Sequence, residues 1–427
     1  MSGFFFTVAG TVVAGGWLYA ILLGCQAWES RRFARGRQRQ LPMPPPDHPR
    51  VALFVPCKGY DLQLADNLRA LFNQSYPNYE LVFVVESGHD PACATIRELM
   101  VRRREIPSRL VIAGQSTDSG QKVHNLLVAT AQVSSRVQIL AFADSDARPH
   151  PGWLGCLISG LDKEGVGATT GYRWMFPLRR KLANYLLYSI NSATAALYGP
   201  RGPVLVWGGS WAIRTETFEA IGLRDAWEGT LSDDMVASRT LYDAGYRIHF
   251  EPGCVTVSPV DATFGGVLEF LRRQFLIGRR YCGPMWIGAF AALAFSQLAL
   301  WGSLAVGLWA VAAGNLHGLL GLVNFAGLYA GTMYRCWLRQ EAGRACLPER
   351  QSQLNRARRF DILAGPAVGP LNLLAFLAAC WGNCITWRDV RYRIDRGGQI
   401  AVLSRRDTPP ATPAIEFAPP PPLRRAA

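Results

Sequence analysis

Hydrophobic and polar positions change rhythm along this chain, and the changes predict its elements. Residues 3–28 form an almost uncharged apolar run, long enough for one helix across a bilayer. No basic segment precedes it and the run is too long for a cleaved leader, so a membrane helix is predicted. The arginine-rich stretch 29–39 follows at once, which by the positive-inside rule places the carboxyl side in the cytoplasm. Residues 41–46, Leu-Pro-Met-Pro-Pro-Pro, read as a stiff linker.

From residue 48 to about 259 short β-branched runs alternate with helical spacing. Residues 51–56, 79–85 and 137–143 are buried-strand candidates, and 62–72 carries apolar positions at helical intervals. This β-α-β order predicts an α/β domain on a mostly parallel sheet, with ligands beyond the carboxyl ends of the strands. Beyond residue 280 the chain turns apolar again at 285–314, 316–334 and 362–387, the last run interrupted by Gly365-Pro366 and Gly369-Pro370.

The predicted order is an N-terminal transmembrane helix (1–28), a basic and proline-rich linker (29–47), the α/β domain (48–259) and an arginine-rich juxtamembrane segment (260–284). C-terminal membrane segments (285–387) then surround a cytoplasmic loop at 335–361, and a basic, then proline-rich, cytoplasmic tail (388–427) closes the chain. A domain and a tail on one side of a membrane require an even number of crossings between them. Three apolar segments lie there, so the Gly-Pro pairs mark the last as a broken or re-entrant hairpin.

Composition narrows the class. The 427 residues carry 45 Lys and Arg against 31 Asp and Glu, a net +14, yet only 18% are charged and 49% are hydrophobic. That balance excludes a disordered polyampholyte and argues against an ordinary soluble enzyme. The basic excess clusters beside the apolar runs, and no RNA- or DNA-binding signature accompanies it, so nucleic acid is not expected as a partner. The ten cysteines form no CxxC pair, which leaves them as small buried hydrophobes in a reducing compartment.

Four features of the α/β domain carry chemistry. Glu86 and Asp90 follow the strand at 79–85, and Asp144 and Asp146 follow the strand at 137–143. Asp233 and Asp234 open a helical stretch at 235–244, and an arginine-rich stretch at 271–281 closes the domain. An acid-x-acid pair at a strand end can turn both carboxylates to one hard divalent cation and leave positions for phosphate oxygens. A sugar leaving a nucleoside diphosphate needs that neutralisation, and its acceptor hydroxyl needs a carboxylate base on the opposite face, so the displacement inverts the anomeric centre. His89, His124 and His150 read as polar supporting residues, and the aromatic cluster 172–176 reads as core first and as the lining of an acceptor groove second.

With these residues in place, the chain resembles an inverting family 2-type glycosyltransferase of GT-A fold, in the ceramide glucosyltransferase (family 21) branch, over residues 3–400. The resemblance rests on Pro56-Cys-Lys-Gly59, the Glu86–Asp90 motif, Gly120-Gln-Lys122-Val-His-Asn125, Asp144-Ser-Asp146, Trp207-Gly208-Gly209-Ser210, Asp234 and the tail Trp387-Arg-Asp-Val-Arg-Tyr-Arg-Ile. It implies a Rossmann-like, mostly parallel cytoplasmic domain with transmembrane helices at both ends. It also implies donor contacts from Glu86, Asp90, Lys122 and Asp144, and Mg²⁺ or Mn²⁺ on Asp144 and Asp146. Trp207, Gly208, Gly209 and Ser210 would lie on the acceptor side, and Asp234 would be the base, with Asp233 able to exchange roles. The family's (Q/R)-x-x-R-W motif is absent as written: the expected arginine falls at Ile277 or Leu276. Arg272, Arg273, Gln274, Arg279 and Arg280 are its available substitutes, for a diphosphate, for anionic headgroups, or for both.

The expected activity is transfer of one sugar, glucose first among candidates, from a UDP-sugar to the hydroxyl of ceramide or a similar lipid. The setting would be a bacterial plasma membrane, or a Golgi membrane in a eukaryote, with membrane lipids as further partners. Another lipid acceptor (a hopanoid, a diacylglycerol or a polyprenyl phosphate) is the alternative, then a processive polysaccharide synthase. A membrane scaffold or transporter subunit is the alternative outside enzymes.

Overall fold

A computed structural model describes residues 2–39, 46–59, 63–201, 204–406 and 415–416. Eight strands come first in the α/β region: β1 (Val51–Pro56), β2 (Tyr79–Val85), β3 (Ser108–Ile112), β4 (Ile139–Ala143), β5 (Val166–Thr170), β6 (Arg173–Pro177), β7 (Ser210–Arg214) and β8 (Arg247–Phe250). All but β6 join one sheet in the order β3-β2-β1-β4-β7-β5-β8. Strands β1 to β4 run parallel, as do β5 and β8, and β7 lies antiparallel between β4 and β5. The mostly parallel α/β expectation is therefore met. The strand expected at 137–143 starts two residues later, because the Gln138 and Ile139 amides both turn to the Arg50 carbonyl.

The helices are α1 (Ser2–Arg39), α2 (Leu64–Phe72), α3 (Ala92–Arg102), α4 (Gln121–Thr130), α5 (Trp153–Ser159), α6 (Leu182–Ala195), α7 (Thr215–Ala220), α8 (Leu223–Trp227), α9 (Asp233–Asp243), α10 (Phe264–Tyr281), α11 (Gly283–Ala312), α12 (Gly318–Cys346) and α13 (Gln351–Cys380). Helices cover both faces of the sheet, which is why its strands are apolar without alternation. On one face Leu53, Val55, Leu81 and Phe83 pack on α2, α3 and α5. On the other, Ala52, Phe54, Val82 and Phe142 pack on α4, α8 and α9. In α2 the buried Leu64, Leu68, Leu71 and Phe72 supply the predicted stripe, while Leu62 lies outside the described residues. Helix α9 begins two residues earlier than its pattern suggests, with Asp233 and Asp234 in its first turn, where the helix dipole favours negative charge.

Helix α1 does not stop at the apolar run but continues through the arginine stretch to Arg39. Of the expected linker, residues 40–45 lie outside the described residues, as do residues 407–414 and 417–427 of the expected proline-rich tail. Among the described residues three helices can cross a membrane by length and composition: Gly10–Arg37, Gly283–Ala312 and Gln351–Cys380. The apolar run expected at 316–334 falls in α12, which is as long but not apolar enough by that measure. The Gly-Pro pairs do not break the last run, because α13 passes through Pro366 and Pro370 unbroken. Neighbouring helices hold it instead, with Gly369 seated directly against the Gln297 amide of α11. The stretch 335–361 is not a loop: α12 and α13 run into it from both sides and leave only a short turn around Pro348–Arg350.

Buried ion-pair groups at Glu251 and Asp361 fasten the α/β region to the long helices, and one at Glu341 fastens the long helices to one another. Arg37 of α1 donates to Glu251 just beyond β8 (3.0 Å), and Glu341 of α12 accepts from Arg35 and, at 3.1 Å, Arg358. Asp361 of α13 is fully buried and accepts from Arg339 (2.8 Å), Gln340 and, on α6, Ser189 (2.6 Å). Asp361→Ala leaves the Arg339 guanidinium buried and unpaired, so stability falls by about 3–5 kcal/mol. Thermal unfolding in detergent measures this, and a melting temperature equal to wild type contradicts it.

Candidate active site

The chemistry-bearing side chains meet at the carboxyl ends of β1, β2 and β4. The antiparallel pairing of β4 with β7 sets Ala143 opposite Ser210, so Asp144 follows β4 just where the Trp207–Gly209 turn enters β7. The start of α9 comes to the same place, since the Gly208 amide donates to Asp234 Oδ2 (3.2 Å).

Lys122, in the first turn of α4, ties these pieces together. Its ammonium lies 2.8 Å from Asp144 Oδ1 and 3.1 Å from Asp233 Oδ2, and donates to the Gly208 carbonyl at 3.2 Å. Burial alone lowers a lysine's pKa, but Asp144, Asp233 and Asp234 outweigh it and hold Lys122 above its ordinary value. Burial likewise opposes ionisation of Asp144, yet Lys122 and Arg173 keep it below the usual carboxylate range. Asp233 is almost fully buried and moves the other way, pushed up to about 7 by burial and the neighbouring charges of Asp234 and Asp144 against Lys122. Asp234 is more accessible; its Oδ1 accepts from the Ser232 hydroxyl (2.5 Å) and the Met235 amide (2.8 Å).

Asp146 faces Arg173 at the head of β6, with both carboxylate oxygens 3.0 Å from one guanidinium nitrogen; Asp144 Oδ2 stands 3.6 Å from the same nitrogen. Arg173 also stacks over the Trp207 ring at 5.2 Å. The two glycines of the turn are required by space. A Cβ on Gly208 would meet Lys122 Nζ at 2.7 Å, and one on Gly209 would meet Asp144 Oδ2 at 2.8 Å.

Among the described residues no three His, Cys, Asp or Glu side chains gather as a metal cluster. Asp144 and Asp146 nevertheless converge on one cation and offer hard carboxylate oxygens. That set suits a Mg²⁺ or Mn²⁺ that takes its remaining ligands from phosphate and water.

Glu86, after β2, lies between two cations: Lys58 Nζ at 3.0 Å from Oε2 and Arg405 Nη1 at 3.0 Å from Oε1. Asp90 accepts from the Gly59 amide (2.9 Å) and the Ala92 amide (2.9 Å) and so braces the turn after β1. Ser210 is fully buried, its hydroxyl between Trp153 Nε1 (2.8 Å) and the Cys254 carbonyl (3.2 Å), away from the carboxylates. The expected arginines separate. Arg272 and Arg279 donate to main-chain carbonyls at the end of α13, and Gln274 is exposed. Arg280 borders an open cavity of about 540 Å³ with Arg279, Cys380, Trp381 and Arg396. Arg273 turns inward, and burial together with the charges of Arg173 and Arg388 depresses its pKa.

Sequence reasoning missed Arg173, Ser232 and the whole C-terminal ribbon. That ribbon comprises β10 (Cys384–Trp387), β11 (Val390–Ile394) and β12 (Ile400–Arg405), after β9 (Thr256–Ala262), which pairs with β6. The ribbon docks beside the carboxylates. Tyr392 OH accepts from the Gln121 amide (3.2 Å), Arg405 reaches Glu86 and Gln121, and the Ile400 amide donates to the Gly229 carbonyl (2.9 Å). Arginine alternating with Val390, Tyr392 and Ile394 was the signal for it, since period-two patterning marks a strand.

The family model described as Glycosyl transferase family 21 matches residues 12–400. Ceramide glucosyltransferase 1 of Caenorhabditis elegans is 28% identical over 128 residues, 30% of this chain and 27% of that protein. The ceramide glucosyltransferase of Komagataella phaffii is 26% identical over 132 residues, 30% of this chain and 25% of its own. The matched segments thus span about a quarter of these relatives' length. Among solved structures, the mannosyltransferase PcManGT from Pyrobaculum calidifontis, in complex with GDP-Man and Mn²⁺, aligns over 88% of this chain and 97% of its own. The TM-score is 0.47 and the identity 18%.

The raised Asp233 pKa has a measurable consequence for stability. The folded state holds this proton up to about pH 7 while the unfolded chain releases it near 3.8, so stability declines as pH rises through that window. Asp233→Asn removes the titration, and its melting temperature relative to wild type is expected to climb between pH 4 and 7. Parallel curves for the two proteins contradict this.

Proposed function

The chain belongs to glycosyltransferase family 21, and from that membership we propose that it moves one hexose, glucose first among candidates, from a UDP-sugar to the hydroxyl of ceramide or a similar lipid. Its α/β region is read as a GT-A domain. The observation that carries the reading is the meeting of Asp144, Asp146, Asp233 and Asp234 around Lys122 and Arg173 beyond the sheet's carboxyl ends, in a chain that has, among the described residues, three helices apolar enough to span a membrane. The partial matches to ceramide glucosyltransferases support the choice of acceptor.

In this mechanism Asp144 and Asp146 would hold Mg²⁺ or Mn²⁺ together with the donor's phosphates, an ion that when bound neutralises charge on the leaving diphosphate. Lys122 and Arg173, already on those carboxylates, keep the acids together and add positive charge to the same region. Asp234 is assigned as the base: it is the more accessible of the two neighbouring acids, and Gly208, Ser232 and Met235 fix its carboxylate by hydrogen bonds. A base must reach its proton, and a position fixed in advance lowers the cost of the transfer step. Asp233, buried against Lys122, is assigned to holding that lysine. Glu86, set between Lys58 and Arg405, is assigned to the nucleoside. Attack from the base side, opposite the diphosphate, inverts the anomeric carbon. Arg272 and Arg279, at the end of a candidate membrane helix, face anionic headgroups in this reading.

Purified protein in detergent, given labelled UDP-sugars, Mg²⁺ or Mn²⁺ and a panel of lipids, is expected to yield a labelled glycolipid with ceramide. Asp234→Asn should reduce transfer by about 10²–10⁴ with an unchanged melting temperature. A panel in which no lipid is labelled from any donor would sink the proposal.

A further inference from the structure

Arg388 stands where the geometry points to a role in donor binding: on the nucleotide-sugar reading above, its guanidinium contacts the diphosphate of the donor. The ribbon turns from β10 to β11 through two residues only, Arg388 and Asp389, between the paired Trp387 and Val390. Arg388 takes φ +53° there, in the left-handed region; among the described residues His48 is the only other non-glycine with positive φ. Two-residue turns of this kind favour glycine or asparagine at such positions, because a Cβ is strained in that conformation. A long cationic side chain in a position suited to glycine points to a use for the side chain itself.

The surroundings say what that use is. Arg388 Nη1 donates to the Lys58 carbonyl (2.6 Å), just beyond the carboxyl end of β1, and the side chain remains exposed. A guanidinium has five N–H groups, so this contact aims the group without exhausting it. Among the described residues no carboxylate lies within ion-pair distance of Arg388. The acids around it are already engaged: Glu86 by Lys58 and Arg405, Asp389 by Lys58, and Asp144 and Asp146 by Lys122 and Arg173.

Because β1 pairs with β4, Phe54 opposite Phe142, the Lys58 carbonyl that holds Arg388 lies beyond β1 beside the residues that follow β4, Asp144 and Asp146. Arg273 also makes no ion pair among the described residues and stacks on Trp387, the residue before Arg388, at 5.6 Å. Arg273 and Arg388 thus stand at the edge of the carboxylate cluster as two cations without an ion pair among the described residues, while the acids beside them are held by other cations. Two such cations hold best around an anion, and a diphosphate beside Asp144 and Asp146 is the anion this site would receive.

The test exploits the strained turn. Arg388→Gly supplies the residue the backbone prefers, so its melting temperature should equal or exceed that of wild type. Binding of UDP and of uridine to the full chain in detergent, with Mg²⁺ present, is then compared for wild type, Arg388→Gly and Arg388→Lys. The expected result is a loss of UDP affinity of about tenfold or more in Arg388→Gly, uridine affinity unchanged, and partial retention in Arg388→Lys. Wild-type UDP affinity in Arg388→Gly, or an equal loss for UDP and uridine, would overturn the role of Arg388 and leave the transferase reading intact. Wild-type protein that binds neither compound would instead overturn the nucleotide-sugar reading, and this role with it.

Discussion

One buried ammonium group is the constraint on which the site is built. Four carboxylates at the end of a sheet repel one another, and burial makes each charge more costly. Lys122 relieves that repulsion by lying between Asp144 on the strand side and Asp233 on the helix side, while its bond to Gly208 secures the turn between them. Three segments far apart in sequence are therefore placed by one side chain. The unequal result follows from the same geometry: with Asp144 favoured by both Lys122 and Arg173, the more buried Asp233 is the carboxylate that keeps its proton longer.

The same logic, charge buried only where it is matched, recurs where the α/β region meets the long helices. Glu251 receives Arg37 of α1 across that junction, Asp361 of α13 pairs with Arg339 and receives Ser189 of α6 across it, and Glu341 ties α12 to α1 and α13 through Arg35 and Arg358. Breaking one partner leaves the other buried, so sliding at the junction is costly. The carboxylates at the end of the sheet are thereby held at a fixed position relative to the candidate membrane helices.

Much of this was legible in the sequence because the determinants are local. The strand at 51–56 is an uninterrupted apolar run, that at 79–85 is broken only by Glu80, and the acids at 86, 144, 146, 233 and 234 stand just after strands or at a helix start. What escaped depended on partners distant in the chain. Arg173 heads a short apolar strand and shows its purpose only when β6 brings it to Asp146. Residues 384–405 look like a free basic tail until Val390, Tyr392 and Ile394 are found in the core of the α/β region. The Gly-Pro pairs mislead for a related reason: proline removes a local hydrogen bond, and whether the helix survives is decided by its neighbours.

The ribbon that reaches Glu86 and Gln121 comes after every candidate membrane helix in chain order. During synthesis the α/β region can fold early, but its site lacks one wall until the last apolar helix has been made and the ribbon after it has docked. Completion of the site is thereby tied to completion of the last candidate membrane helix, and a chain stopped short of it carries an unfinished site.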